Sequence, residues 1–305
     1  MKISDLLSGQ GRSISFEFFP PKTQAAEAEL FDTIRRLESF KPAFVSVTCG
    51  AGGSTTKNTH RLIKRIKEET SLNPMPHLTC VGQSREELAS ILSDYKALGI
   101  ENVLALRGDL PEEAAGLDFP ENGLTYAKDL VQFAASFEAF SIGVAVYPEG
   151  HPEAPSPQKD LLYAKQKIDA GADFAITQMF FDNQYLYDLI DKAQKIGITV
   201  PIIPGIMPIT DIGKIKRFSQ MCGATLPSHL TDRMEKAKSP EQARKIGVDL
   251  ATEQCEDLLK NGVRYLHFYT LNRDETVSEI LHDLGIYQDR TLLEKDNGLD
   301  HPEEP

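Results

Sequence analysis

What most constrains this chain is an alternation: short β-rich runs separated by stretches whose apolar residues recur at helical spacing. The runs are Ile14 to Phe18, Phe44 to Thr48, Met75 to Thr79, Asn102 to Leu106, Ser141 to Val146, Phe174 to Gln178, Pro201 to Ile206 and Tyr265 to Thr270. Leu30, Ile34 and Leu37 set the helical spacing after the first run, and Leu161, Leu162 and Ile168 after the fifth. Such alternation favours a parallel sheet joined by right-handed crossovers, and eight units in about 250 residues is the usual size of a (β/α)8 TIM barrel. An open doubly wound α/β sheet is the competing architecture. Residues 207 to 264 exceed one connection and hold further helical patterns, including Pro240 to Leu259. Extra helices are therefore expected between strands seven and eight, where they could serve as a lid. Residues 1–288 are expected to form one barrel domain, and residues 289–305, acidic and poor in apolar side chains, a flexible C-terminal tail.

Hydrophobic residues at 41% and charged residues at 26% suffice for a sizeable core and argue against overall disorder. No apolar run approaches the roughly 18 residues of a bilayer span, so no membrane partner is expected. A formal net charge of -12 speaks against nucleic acid, although a local basic pocket could still hold one phosphorylated cofactor. Cys49, Cys80, Cys222 and Cys255 lack CxxC spacing, which indicates reduced thiols rather than zinc or disulfides. Met1 to Arg12 has neither the charge nor the apolar stretch of a secretory signal, so a cytoplasmic location is the expectation.

A barrel builds its site at the C-terminal ends of its strands. Strand one carries Glu17 between Phe16 and Phe18, ahead of Phe19-Pro20-Pro21. Removal from water favours the proton-bearing carboxyl, which suits a general acid; an outward-facing glutamate bonded to a neighbour accounts for the pattern equally well. Strand two ends in Thr48-Cys49-Gly50-Ala51-Gly52-Gly53-Ser54. The third glycine position of a dinucleotide fingerprint is Thr55, so a loop that admits a ligand to the backbone fits better than a Rossmann turn. His77, in an apolar run, reads as a satisfied core residue or a ligand contact. Arg107-Gly108-Asp109 reads as an ion pair about a glycine turn or as part of a site.

The loop Tyr147-Pro148-Glu149-Gly150-His151-Pro152-Glu153 is stiffened by prolines and dense in hydrogen-bonding groups, as functional loops on this face are. Lys165 and Lys167 are either solvated or available to a phosphate. Gln178, beside Met179-Phe180-Phe181, suits a flat heterocycle, and Arg273, past the last strand, could pair with a substrate carboxylate. Together these groups favour an enzyme that handles a large, flat, polar ligand.

Several segments then carry a resemblance: Ser15-Phe16-Glu17-Phe18-Phe19-Pro20-Pro21, Pro76-His77-Leu78-Thr79-Cys80, Leu106-Arg107-Gly108-Asp109, Tyr147 to Glu153, Ile176 to Asp182, Pro204 to Pro208 and His267 to Arg273. In order and spacing they resemble the 5,10-methylenetetrahydrofolate reductases, over about residues 13 to 287 and without a C-terminal regulatory domain. The resemblance implies a flavoenzyme barrel in which NADH or NADPH reduces noncovalent FAD, and the reduced flavin then reduces methylenetetrahydrofolate to 5-methyltetrahydrofolate. It implies Glu17 as the general acid of ring opening, and Asp109 as the charge that stabilises the 5-iminium cation and tunes the flavin. Gln178, Phe218 and Arg273 join Glu17 and Asp109 in the implied substrate site. Thr48, Ala51, His77, Arg107, Gly108, Asp109, Ala127, Tyr147, His151, Asp160 and Lys167 correspond to FAD positions. A homo-oligomer is the expected assembly. Other readings are a flavin-free member of the family or one that takes electrons from another donor, a barrel lyase or aldolase with Lys22 as a Schiff base, and a non-catalytic flavin or folate binder.

Overall fold

The computed structural model describes residues 1–9, 11–21, 23–50, 56–109 and 120–287. Lys22, Ala51 and the expected tail at 289–305 lie outside the described residues. The alternation resolves into strands β1 (Ser13–Phe18), β2 (Phe44–Val47), β3 (Pro74–Thr79), β4 (Asn102–Leu106), β5 (Ser141–Val146), β6 (Phe174–Thr177), β7 (Ile202–Ile203), β8 (Gly205–Ile206) and β9 (Tyr265–Tyr269). The helices are α1 (Ile3–Ser8), α2 (Gln24–Glu38), α3 (Thr56–Glu69), α4 (Arg85–Ala97), α5 (Ala127–Ala135), α6 (Pro157–Asp169), α7 (Asn183–Lys195), α8 (Ile212–Cys222), α9 (Ser228–Glu235), α10 (Pro240–Lys260) and α11 (Glu275–Asp283).

Every strand pairing is parallel, in the order β7-β6-β5-β4-β3-β2-β1-β9-β8. The two ends of that order are halves of the run expected as one strand, Pro201 to Ile206. Pro204 divides it because proline has no N–H for the ladder. β7 pairs with β6, β8 pairs with β9, and the ring closes through the proline, which rules out an open sheet. Closure requires a glycine next to the proline: a Cβ on Gly205 would stand within 2.5 Å of the Thr177 carbonyl oxygen, where the Tyr269 hydroxyl also lies. That hydroxyl donates to the Thr177 carbonyl at 2.6 Å, replacing part of the missing ladder.

Period-two alternation sorts the side chains. Phe16 and Phe18 of β1 and Val45 and Val47 of β2 pack outward in one core with Leu30, Ile34 and Leu37 of α2. Phe44, Met75, Leu104, Phe174, Ile203 and Tyr265 fill the lower barrel in a second cluster. Helix α1, absent from the expectations for Met1 to Arg12, adds Ile3 and Leu7 to that cluster as a plug. The Ile3 N–H donates to Asn102 Oδ1 at 2.7 Å and the Ser4 N–H to Ser141 Oγ at 3.1 Å, so the first turn is capped by the barrel floor. The apolar reading of α6 needs correction: Ala164 is its buried residue, Leu161 and Ile168 are partly buried, and Leu162 is 44% exposed.

Helices α8, α9 and α10 lie between β8 and β9, and Met207, Ile215, Leu230, Met234 and Leu250 join them in a third apolar cluster with Met179 and Phe181. Among the described residues no helix is long and apolar enough to cross a membrane. We predict that Gly205→Ala lowers stability by about 1 to 3 kcal/mol through overpacking at the closure. A chemical-denaturation midpoint unchanged from the parent would show that the closure tolerates a methyl group.

Candidate active site

The strand ends open into a cleft of about 780 Å³, a size suited to a cofactor or a large substrate. Glu17, Thr48, His77, Arg107, Gly108 and Asp109 line one part of it, and Ala127, Tyr147, His151, Lys167, Gln178 and Phe218 another. Two residues named from the sequence stand apart. Asp160 lies behind Lys167, off the cleft wall, and Arg273 is exposed and does not reach the lining.

Glu17 turns into the barrel because Phe16 and Phe18 occupy the outward positions of β1. It is 7% exposed. Its Oε2 lies 3.4 Å from His77 Nε2, 3.5 Å from Ser46 Oγ and 3.8 Å from His267 Nε2. The Glu17 carbonyl accepts the Thr270 hydroxyl at 2.6 Å, which holds the strand end. Burial pushes the His77 pKa below the ordinary histidine range, Glu17 opposes that fall and His267 adds to it. His77 Nε2 has no hydrogen-bond partner, so its approach to Glu17 is proximity without alignment.

The turn after β4 depends on Gly108, whose φ is +86° and where a Cβ would stand 2.9 Å from Thr79 Cβ. An L side chain is excluded on both counts, and the bare backbone forms part of the wall. Arg107 pairs with Glu153 through bonds of 2.7 and 3.0 Å, so the ion pair expected within this turn instead ties it to the loop after β5. Asp109 is left exposed at the cleft.

On the far wall, burial raises the Tyr147 hydroxyl to a pKa of about 12 while a bond with Gln178 opposes the rise. The ring meets His151 edge-on, with centroids 4.6 Å apart. The two lysines of α6 separate: Lys165 pairs with Asp169 at the surface, whereas the Lys167 amine donates to the Ala145 carbonyl at 2.5 Å. Burial lowers the Lys167 pKa to about 8 against the attraction of Asp160, and burial raises that of Asp160 against the pull of Lys167.

Helix α8 brings Phe218, Met221 and Cys222 to the lining. The Asp211 side chain caps it by accepting the Lys214 N–H at 3.0 Å. The loop after α8 is held to the β5 loop, the Thr225 N–H donating to both Glu149 carboxylate oxygens at 2.9 and 3.1 Å. Sequence reasoning gave no role to Ser46, His267 or Tyr269, which stand against Glu17, or to Ser15, which holds His267. Their signal was phase: each falls on the inward register of its strand. Leu271 and Asn272 also line the cleft, both with positive φ (50° and 59°), and the Asn272 amide clamps Phe19 by accepting its N–H and donating to its carbonyl at 2.8 Å each.

These features define a closed parallel barrel with a buried carboxyl group in a cofactor-sized cleft. The protein-family model Methylenetetrahydrofolate reductase matches residues 2–285. The chain is 45% identical over 275 residues to the 5,10-methylenetetrahydrofolate reductase of Salmonella typhimurium, covering 90% of this chain and 91% of that one. With the Methylenetetrahydrofolate reductase (NADH) 1 of Zea mays it shares 39% identity over 295 residues, covering 92% of this chain and 50% of the longer plant protein. The chain belongs to the methylenetetrahydrofolate reductase family. A solved structure of an uncharacterised protein from Clostridium thermocellum that binds two copies of 5-methyl-5,6,7,8-tetrahydrofolic acid shares the fold, with a TM-score of 0.62 and 13% identity over 94% of this chain and 99% of that one.

A lysine amine reacts only after losing its proton, so its labelling reports its pKa. Acylation of Lys167, followed by peptide mass spectrometry, should rise steeply around pH 8, where exposed lysines of ordinary pKa near 10.4 remain protonated. Asp160→Asn should move the rise to lower pH. Labelling of Lys167 that increases only near pH 10 would show that burial does not perturb this amine.

Proposed function

We propose that this protein reduces 5,10-methylenetetrahydrofolate to 5-methyltetrahydrofolate, with FAD as a noncovalent cofactor and NADH or NADPH as electron donor, the two substrates acting in turn. The observation that carries the reading is a carboxyl group, Glu17, buried in the cleft floor, whose partners among the described residues are ring nitrogens and a hydroxyl. A carboxyl so placed is within reach of a substrate bound in the cleft and can pass a proton to it. The residues present also fit the cofactor. The side-chain-free Gly108 backbone and the turned-in Lys167 amine form a cradle, and Thr48, His77, Arg107, Ala127, Tyr147 and His151 stand along the same cleft to hold it. When bound, FAD would supply the hydride that it takes from the nicotinamide.

The chain's own residues account for the rest of the chemistry. Opening the five-membered ring of the folate requires a proton on the departing amine nitrogen, and Glu17 donates it. The cation left at the other nitrogen is stabilised by the negative charge of Asp109, exposed at the cleft. Gln178, fixed by its bond with Tyr147 and by accepting the Met179 N–H at 2.8 Å, presents an amide to the pterin edge. Phe218 offers a ring face from α8.

The purified protein should be yellow and release FAD on acid precipitation. In rapid-mixing experiments Glu17→Gln should leave flavin bleaching by the nicotinamide near the parent rate and slow reoxidation by methylenetetrahydrofolate by about 10² to 10⁴-fold. Reoxidation at the parent rate would remove Glu17 as the acid. Asp109→Asn should slow the folate half-reaction by roughly 10 to 1,000-fold with bleaching largely spared. Equal damage to both half-reactions would assign Asp109 to flavin binding or to the fold.

A further inference from the structure

We propose that His267 is a positioning residue for Glu17, held in place by Ser15; the inference rests on the functional reading above. His267 is fully buried on β9, directly opposite Ser15 of β1 in the ladder. Its Nδ1 lies 2.8 Å from Ser15 Oγ. The ring is stacked on Phe44 at 5.7 Å and 17°, and Tyr269 meets it edge-on at 5.6 Å. One edge and one face are therefore fixed, which leaves Nε2 a single direction. It points at Ser46 Oγ, 3.5 Å away, and at Glu17 Oε2, 3.8 Å away.

The consequence concerns the two oxygens of the carboxyl group. Among the described residues, the contacts of the Glu17 carboxylate all fall on Oε2: His77, His267 and Ser46 surround it. The Ser46 hydroxyl stands within 3.5 Å of both Glu17 and His267 and couples the two. A carboxyl anchored at one oxygen cannot spin freely, so Oε1 is aimed rather than averaged over rotamers. A proton donor must be aligned with the atom it protonates, and loss of that alignment slows transfer without removing the acid. The hydrogen bond to the carboxylate comes from Ser46, which His267 holds in turn, while His77 lies close to the same oxygen without alignment. Burial disfavours a charge on His77. A histidine present only to fill the core would be satisfied by Ser15 and Phe44; the directed Nε2 and the bridging Ser46 go beyond packing.

Two variants separate the roles of the two ring nitrogens. An asparagine amide reaches the place of Nδ1 and keeps the Ser15 contact but not the one to Glu17, whereas a glutamine amide reaches the place of Nε2. In rapid-mixing measurements on the flavin-loaded protein, His267→Asn should slow reoxidation by methylenetetrahydrofolate by about 10 to 100-fold, the scale of a misplaced catalytic group. His267→Gln should stay within about threefold of the parent, and both should bleach with the nicotinamide at the parent rate. If His267→Asn does not fold, as judged by its thermal transition and flavin spectrum, Ser46→Ala carries the test, with the same sparing of bleaching and a loss of at least about fivefold in reoxidation. Equal rates in the Asn and Gln variants, or equal damage to both half-reactions, would overturn the proposal. A Ser46→Ala protein that reoxidises like the parent would also overturn it. A parent protein that is never reoxidised by methylenetetrahydrofolate would instead overturn the functional reading, and this inference with it.

Discussion

Closure of the parallel sheet at Pro204 is the constraint on which the rest of the molecule depends. β7 pairs with β6 and β8 with β9, so a proline flanked by two short half-strands joins the edges that an open sheet would expose. Once the ring is closed, all strands end at one rim, and ladder register sets the height of every inward side chain. Ser15 faces His267 and Glu17 faces Ser46 because β9, β1 and β2 are in parallel register. The same closure places Tyr269 across Gly205, where its hydroxyl stands in for a backbone donor.

Inside the barrel, chemistry changes with height. The lower layers are filled by Phe44, Met75, Leu104, Phe174 and Tyr265 and plugged by Ile3 and Leu7. Above them the strands carry hydroxyl, imidazole and carboxyl groups. A buried polar atom without a partner costs about 1 to 3 kcal/mol, and His77 Nε2 is such an atom. Apolar residues at these positions would give a more stable barrel, so the polar layer is a concession of stability to the site. The apolar floor makes that concession tolerable.

The cleft walls follow a different rule. Arg107 and Glu153 join the loops after β4 and β5, while Glu149 accepts from Thr225 and joins the β5 loop to the chain beyond α8. The β5 loop is therefore the hub of the rim, and its prolines limit the conformations it can take. The Lys167 amine, unlike the Arg107 guanidinium, contacts the barrel interior rather than a surface carboxylate, and burial lowers its pKa to about 8.

The sequence by itself determined the alternation, the parallel sheet and most of the strand limits. β4 and β5 match the expected runs residue for residue, because apolar β-rich segments bounded by turns leave little freedom. It also marked Glu17, Asp109 and Gln178, since polar groups at strand ends stand out against an apolar background. Only the tertiary structure decided the partners. The break at Pro204, the docking of α1 and the pairing of Arg107 with Glu153 rather than Asp109 each join residues far apart in the chain. So does the grouping of Ser46, His77 and His267 around one carboxylate oxygen. Local spacing records which face a side chain takes; closure and register decide what it meets there.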